Sequence, residues 1–246
     1  MALGLARAGA RVVLTAAREL EEVEATAREI SSELGEGVAV PMLADVTRHE
    51  ECEAVVARTL GSFGRLDILV NNAGRGMKFI SQEFMTEPTR FWEVTPELWR
   101  MVVDTNVTGP FLMAKAAVPH LLAAGCGRII NISASRETMR RRGFSPYGPS
   151  KAALEAETAV WAQDLAGTGV TVNALLPGGA TLTGMVPDNL PGEMRARLLD
   201  PEIIVPPLLW LASDASASVT GKRVVAAGWT PENAVLQEAG SDGSRP

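Results

Sequence analysis

The chain has 246 residues, of which 46% are hydrophobic, and this is enough to bury one complete core. Its net charge of −6 and its pI near 5.1 give no indication of non-specific nucleic-acid binding, which normally shows as a basic face. Two cysteines and two histidines are too few and too scattered for a disulfide framework or a zinc site, so we expect no metal. We find neither a signal peptide nor an apolar run of the roughly 18 residues that a membrane span needs. The expected compartment is the cytoplasm.

Apolar strands alternate with helices along the chain, a pattern typical of a parallel sheet covered on both faces. Strands are predicted at Arg11–Thr15, Val38–Leu43, Leu66–Asn71, Gly127–Ser133, Val170–Leu176 and Lys222–Ala226. Helices are predicted at Glu19–Leu34, His49–Leu60, Pro96–Ala124, Ser145–Ala166 and Pro201–Ala212. The sequence thus predicts an α/β fold with a doubly wound parallel sheet, a Rossmann-like single domain over residues 1–230. A flexible tail is expected over residues 231–246, which are rich in Gly, Ser, Glu and Asp.

The start of the chain departs from this pattern. Met1–Ala10 resembles the end of a helix that stops at Gly9, and no strand or glycine-rich turn precedes it. In the strand order 3-2-1-4-5-6 the first strand is central, and the turn after it holds the pyrophosphate of a dinucleotide. Its loss would leave two strands with unpaired edges. Either the sequence starts at an internal methionine of a longer gene, which the intact later motifs favour, or the protein is a shortened form without a phosphate cradle.

Tyr147 and Lys151 stand one helical turn apart in the segment SPYGPSK, residues 145–151. Residues i and i+4 share a helix face, so the ammonium can lie beside the phenol and favour its ionised form. An ordinary tyrosine has a pKa of about 10, and proton transfer near neutral pH would require a pKa lower by roughly 2 to 3. A neighbouring cation can supply much of that change. On spacing alone, a coincidence on the surface is the alternative.

Other motifs accompany this pair in a fixed order. They are NNAG at 71–74 after a strand, NVTG at 106–109, IINISAS at 129–135 and PG at 177–178. Together with Tyr147 and Lys151, this set resembles the classical short-chain dehydrogenase/reductase family, from Met1 to about Trp229. The resemblance implies an oxidoreductase that transfers a hydride between NADP(H) or NAD(H) and a carbonyl or secondary alcohol. It also implies a small-molecule substrate and a homodimer or homotetramer.

The resemblance assigns roles to the polar residues of the site. Tyr147 transfers the hydroxyl proton, Lys151 lowers the pKa of Tyr147 and holds the nicotinamide ribose, and Asn106 kinks its helix and completes a proton relay.

The serine that orients the substrate oxygen is the open member of this set. The family spacing of thirteen residues before the tyrosine leads to Ala134, which has no hydroxyl. Ser135 takes the role if the loop is one residue shorter than usual, and Ser133 takes it if its side chain rotates in. Otherwise Tyr147 acts on the substrate oxygen alone.

The expected cofactor-binding residues follow the ends of strands, where open α/β sheets bind ligands. They are Arg18, Asp45, Val46, Asn72, Ala73, Gly74, Pro177, Gly178, Ala180 and Thr183, together with Tyr147 and Lys151. Residues 15–17 include no acid for the ribose hydroxyls of NAD, and Arg18 can accept the 2′-phosphate of NADP. We therefore prefer NADP, and NAD stays open because Glu19 follows.

Three segments are expected to set substrate choice or assembly. Gly184–Arg197 is predicted to be a mobile substrate lid. Arg75–Trp92 is longer than the usual connection, and Arg136–Phe144 brings four arginines beside Tyr147. These arginines could pair with a carboxylate or phosphate, or belong to a solvated or subunit-contacting loop.

The long helices are expected to form a subunit interface through apolar positions such as Val118, Leu121, Leu154 and Trp161. The alternative to an enzyme is a shortened, catalytically silent relative that acts as an interaction or regulatory subunit through these helices.

Overall fold

The structure is a computed structural model that describes residues 1–234 and 236–240. Its strands are β1 (Val12–Ala16), β2 (Ala39–Leu43), β3 (Ile68–Asn71), β4 (Gly127–Ile132), β5 (Val170–Leu176), β6 (Lys222–Val225) and β7 (Gln237–Glu238). Its helices are α1 (Ala2–Arg7), α2 (Leu20–Leu34), α3 (His49–Phe63), α4 (Pro96–Val103), α5 (Gly109–Ala124), α6 (Arg136–Arg140), α7 (Tyr147–Asp164), α8 (Gly192–Arg195) and α9 (Val205–Ala212). Parallel strands and helices alternate through most of the chain, which confirms the predicted α/β class.

The strands form two sheets instead of one. β1 pairs with β2, and a second sheet has the order β3-β4-β5-β6-β7. All neighbours are parallel except β6 and β7, which are antiparallel. The gap between β1 and β3 falls at the central position of the doubly wound order, where the sequence analysis finds no strand.

A cavity of about 530 Å³ occupies the gap between the two sheets. The amide of Val12 donates to Val38 of the neighbouring segment at 2.8 Å, so alternation along β1 directs the backbone groups of Val13 into the gap. On the opposite side, the carbonyl oxygen of Asp67 accepts a hydrogen bond from the Arg128 amide of β4 at 2.9 Å. Because backbone groups alternate in direction along a strand, those of Val70 are directed into the same gap. The two facing edges are therefore strand edges, as the sequence predicts for a sheet without its central strand.

Two apolar cores cover the faces of the larger sheet. On one face, Leu121 of α5 packs with Val172 of β5 and with residues of α3. On the other face, Leu208 of α9 packs with Val224 of β6 and with Leu5 of α1. Because both faces are covered, the polar groups of the site are confined to the ends of the strands.

Gly9 closes helix α1 shortly after its last residue, Arg7, as predicted. Gly9 has φ of 93°, and its amide donates to Ala6 at 2.9 Å, while the amide of Ala10 donates to Leu5 at 3.0 Å. These two bonds form a Schellman motif, in which a left-handed residue closes the helix. A glycine adopts that conformation without strain.

The predicted helix 96–124 is divided by a π-helical turn at Asp104–Thr108, between α4 and α5. By length and composition it is the one helix of the described residues that could cross a membrane, so the expectation that no such stretch exists is wrong. Core helices of folded proteins can have the same length and composition, and Val102, Ala117 and Leu121 of this helix are fully buried.

The chain after β6 continues along the sheet. Gln237 pairs with Arg223, and Glu238 pairs with Lys222. Residue 235 and residues 241–246 of the expected flexible tail lie outside the described residues, and that expectation stays a prediction.

Candidate active site

Helix α7 begins at Tyr147 and carries Lys151 on the same face, next to the end of β4. Lys151 is 3% exposed, and its Nζ donates to the carbonyl oxygen of Ile132 at 2.7 Å. The same Nζ lies 6.0 Å from the centroid of the Tyr147 ring. The predicted pair therefore sits on one helix face at the carboxyl edge of the sheet.

Burial shifts the pKa values of both groups toward the neutral forms. It raises the pKa of Tyr147 to about 12 and lowers the pKa of Lys151 to about 8. The expected lowering of the Tyr147 pKa by the ammonium is not found. The reason is geometric, because the ammonium is held by the Ile132 carbonyl and faces the ring.

Asn106 lies in the π turn and joins two parts of the site. Its Oδ1 accepts from the Arg75 amide at 2.7 Å, and its Nδ2 donates to the Arg75 carbonyl at 2.9 Å. The same Nδ2 donates to Ser150 Oγ at 2.9 Å, and Ser150 Oγ donates to the Tyr147 carbonyl at 2.7 Å. The fully buried Asn106 thus ties the loop after β3 to the helix that carries Tyr147.

Ser133 belongs to a buried ionic network. Its Oγ donates to Glu155 Oε1 at 2.9 Å, and Arg223 Nε donates to the same oxygen at 2.8 Å. A second nitrogen of Arg223 donates to the Ala134 carbonyl at 2.9 Å. Glu155 and Arg223 are 3% and 4% exposed, so the network fixes the loop that follows β4 and directs Ser133 toward Glu155.

Ser135 caps helix α6, which lies in a segment predicted from the sequence to be a loop. Its Oγ accepts from the Thr138 amide at 3.1 Å and lies 2.9 Å from Thr138 Oγ1. Ser135 is half-buried, whereas Ser133 is buried. The choice between the two serines as the catalytic hydroxyl stays a prediction, and only Ser135 is held by local bonds of a cap.

Two of the predicted cofactor-binding residues, Asp45 and Val46, follow β2. Burial raises the pKa of Asp45, but hydrogen bonds from Thr47 outweigh it, and with Arg75 and Arg18 nearby the net pKa is below its ordinary range. Thr47 donates from its amide and its hydroxyl to Asp45 Oδ1 at 2.9 and 2.8 Å. Val46 packs closely against Gly109, because a Cβ on Gly109 would lie 2.7 Å from Val46 Cγ2.

The other predicted cofactor contacts lie at the ends of β3 and β5. Asn72 and Ala73 are exposed and line the cavity between the sheets. A Cβ on Gly74 would lie 3.3 Å from Asn106 Oδ1, so the chain passes this point closely. Beyond β5, Pro177 is half-buried, and Gly178, Ala180 and Thr183 are exposed. Gly178 has φ of 96° and packs against Ala227, which leaves no room for a side chain.

The predicted lid lies over the loop that follows Gly74. Lys78 Nζ forms an ion pair with Asp188 at 2.9 Å, which links the long segment 75–92 to the lid. Met185 Cε lies 3.3 Å from the position that a Cβ on Gly74 would occupy. The lid contains the short helix α8, which the sequence analysis does not predict.

Several polar residues of the site were missed by sequence reasoning. Asn71 donates to Asn131 Oδ1 at 2.8 Å, and Asn131 donates to Thr158 Oγ1 at 2.9 Å, which links β3, β4 and α7. Glu155 and Arg223 are the other members. The sequence signal for these residues was the occurrence of glutamate, asparagine and threonine on strands or helices that are otherwise apolar. Such residues predict a buried hydrogen-bond network, because buried polar groups need partners.

Comparison with known proteins agrees with this geometry. A family model described as short chain dehydrogenase matches residues 1–193. A 3-oxoacyl-[acyl-carrier-protein] reductase of Synechocystis sp. is 36% identical over 228 residues, which cover 90% of this chain and 87% of that protein. An acetoacetyl-CoA reductase of Rhizobium meliloti is 34% identical over 192 residues, which cover 75% of this chain and 76% of that protein.

A solved structure gives the same picture. The crystal structure of a 3-ketoacyl-(acyl-carrier-protein) reductase from Brucella melitensis, complexed with NADH, superposes with a TM-score of 0.76 at 28% sequence identity. The match covers 90% of this chain and 88% of that one. These similarities favour an enzyme over the silent interaction subunit.

Proposed function

Because the chain belongs to the short-chain dehydrogenase family and is an NAD(P)-dependent oxidoreductase, we propose that it reduces a carbonyl group, with Tyr147 as the proton donor. The observation that carries the proposal is the pair formed by Tyr147 and Lys151 on one face of α7. Burial raises the pKa of Tyr147 to about 12, so the phenol keeps its proton at neutral pH. A protonated phenol suits donation to the oxygen of a carbonyl that is being reduced.

The residues at the carboxyl edge fit a nicotinamide dinucleotide in part. Asn72 and Ala73 are exposed at the end of β3, and Asp45 offers a carboxylate whose pKa is lowered. The cofactor, when bound, supplies or accepts the hydride. Lys151 would hold the ribose, and Arg18 near Asp45 supports the preference for NADP over NAD.

We assign the substrate-orienting hydroxyl to Ser135. This choice is supported by the hydrogen bond that Ser133 donates to Glu155, which is part of a buried ion pair. If the Ser133 hydroxyl turned toward Tyr147, the buried carboxylate of Glu155 would lose that hydrogen bond. Ser135 gives up only cap bonds with Thr138 when it turns.

The names of the relatives support a 3-oxoacyl thioester as the substrate. Two of them are reductases of 3-oxoacyl-[acyl-carrier-protein] and of acetoacetyl-CoA. We therefore propose that the reacting group is the ketone at the third carbon of an acyl thioester, which is one of the carbonyl compounds that this family reduces.

Turnover with matched variants tests this function. NADPH oxidation with an acetoacetyl thioester is measured for the unmodified protein, Tyr147→Phe and Lys151→Met, and cofactor binding is measured by calorimetry. We expect Tyr147→Phe to lose turnover and keep cofactor binding, because the ring still packs. Lys151→Met should lose turnover and part of the binding. Full turnover by Tyr147→Phe would refute the proton-donor role.

We also propose a homodimer or homotetramer in the cytoplasm. Leu121 and Leu154 are 0% and 1% exposed, so the expectation that they form the interface is wrong. Instead, Phe111 and Val160 are 45% and 52% exposed on α5 and α7 and support an interface there. The cysteines of the described residues are free, which suits a reducing compartment.

A further inference from the structure

A second cavity, of about 380 Å³, lies between two loops beside the catalytic tyrosine. One wall is formed by residues 88–92 and the other by residues 139–145. Thr89 Oγ1 donates to the Gly143 carbonyl at 2.6 Å, which joins the walls. Gly143 has φ of 82°, and a Cβ there would come within 2.8 Å of Pro88. The loops are docked closely, so the cavity is a built feature of this region.

Positive charge concentrates on this cavity. Arg90, Arg140, Arg141 and Arg142 line it and are exposed. Within the described residues, no carboxylate oxygen lies within 4.0 Å of these four guanidinium groups, whereas nine of the other lysine and arginine side chains have such a partner. Arg136, the remaining arginine of the predicted loop, is directed to Gln237 at 3.0 Å. The cavity therefore has cations available for an external anion.

Aromatic side chains form the apolar part of the cavity. Phe91 and Trp92 are 66% and 65% exposed, and their ring centroids lie 5.1 Å apart. Arg90 lies 5.5 Å from the Trp92 ring centroid, and Arg141 lies 4.9 Å from that of Phe144. Stacking on rings orients guanidinium groups without neutralising them.

The cavity is next to the reacting centre. Ser145 and Pro149 line it, and Tyr147 lies between them at the start of α7. A molecule that presents a carbonyl to Tyr147 can therefore place its remaining part in the cavity.

We propose that this cavity binds a phosphate ester in the part of the substrate remote from the carbonyl. The inference rests on the proposed carbonyl reduction and adds the group that anchors the substrate. Several unpaired guanidinium groups suit a phosphate better than a single carboxylate, because a phosphate monoester offers three acceptor oxygens and nearly two negative charges, whereas a carboxylate offers two oxygens and one charge. The exposed rings of Phe91 and Trp92 cover the neighbouring apolar atoms of the substrate.

Two substrates with the same reacting end test this proposal. Acetoacetyl-CoA carries phosphates, and acetoacetyl-N-acetylcysteamine has the same thioester end without them. We expect Arg140→Gln/Arg142→Gln to raise KM for acetoacetyl-CoA at least about tenfold, as loss of a charge-assisted contact does, with kcat little changed. KM for the short thioester should not change. Arg58→Gln, on the exposed surface of α3, is the matched control.

Binding of coenzyme A without the acyl group separates this inference from the proposed function. Calorimetry should give at least about tenfold weaker binding for the double variant than for Arg58→Gln, even if no turnover is found. Equal affinity of coenzyme A for both variants would overturn the phosphate site. So would an equal rise in KM for both thioesters, or a double variant that changes only the oligomeric state.

Discussion

Replacement of Lys151 by methionine should stabilise the folded protein near neutral pH, although it removes a residue of the site. Burial lowers the pKa of Lys151 from 10.5 to about 8, so the folded state disfavours the ammonium. Below about pH 8 both the folded and the unfolded state hold the proton, and the full cost of burying the charge is present. The cost is relieved as the pH rises from about 8 to about 10.5, where only the unfolded state still binds the proton.

The magnitude follows from these two pKa values. They differ by about 2.5, and one pH unit corresponds to about 1.4 kcal/mol, so the cost is about 3 kcal/mol at pH 7. At pH 9.5 about 1 kcal/mol of it is left. Lys151→Met also removes the bond to the Ile132 carbonyl, which costs about 1 kcal/mol. The net gain at pH 7 is therefore about 2 kcal/mol.

Urea denaturation at pH 7 and pH 9.5 measures both quantities. The free energy of unfolding of the unmodified protein should rise by about 2 kcal/mol relative to Lys151→Met between these pH values. The range stops below pH 10, because the raised pKa of Tyr147 makes stability fall between about pH 10 and 12. Lys115→Met, at an exposed position of α5, is the control. Parallel pH profiles for the unmodified protein and Lys151→Met would refute the reasoning.

Three other predictions concern the serines, the buried ion pair and the gap. Ser135→Ala should lower kcat roughly a hundredfold in the NADPH assay. Ser133→Ala should lower the free energy of unfolding by about 1 to 2 kcal/mol and have a smaller effect on kcat. A larger loss of kcat in Ser133→Ala than in Ser135→Ala would place Ser133 at the substrate. Arg223→Leu should cost about 3 to 5 kcal/mol in urea denaturation, because it leaves Glu155's carboxylate buried without its cation, and a cost below 1 kcal/mol would contradict this. Backbone amides facing the gap, such as that of Val13, should exchange hydrogen faster than amides of β4, and equal protection by NMR would show that the edge is covered.

The order of elements and the residues proposed for the main site roles could be predicted from local sequence. Apolar strands and helix-period patterns gave the doubly wound fold, and the stop of α1 followed from Gly9 alone. Asn106 was expected to interrupt its helix, and the π turn at Asp104–Thr108 lies there. These features depend on residues close together in the chain, so spacing was sufficient.

The placement of Tyr147 and Lys151 on one face was also determined by the sequence, because positions four apart meet on any α-helix. Their pKa values were not. Burial decides both, and burial depends on β4 and the loops packed around α7.

Only the tertiary structure decided what the neighbouring serines do. Ser133 is bound to Glu155, and Arg223, 68 residues further along, completes the ion pair from β6. The cavity between the 88–92 and 139–145 loops likewise depends on two distant segments coming together, which Thr89 joins by donating to the Gly143 carbonyl. Sequence fixes which groups a chain carries and which lie near each other along one element. The desolvation and the long-range hydrogen bonds that set their chemistry arise when separate elements pack together.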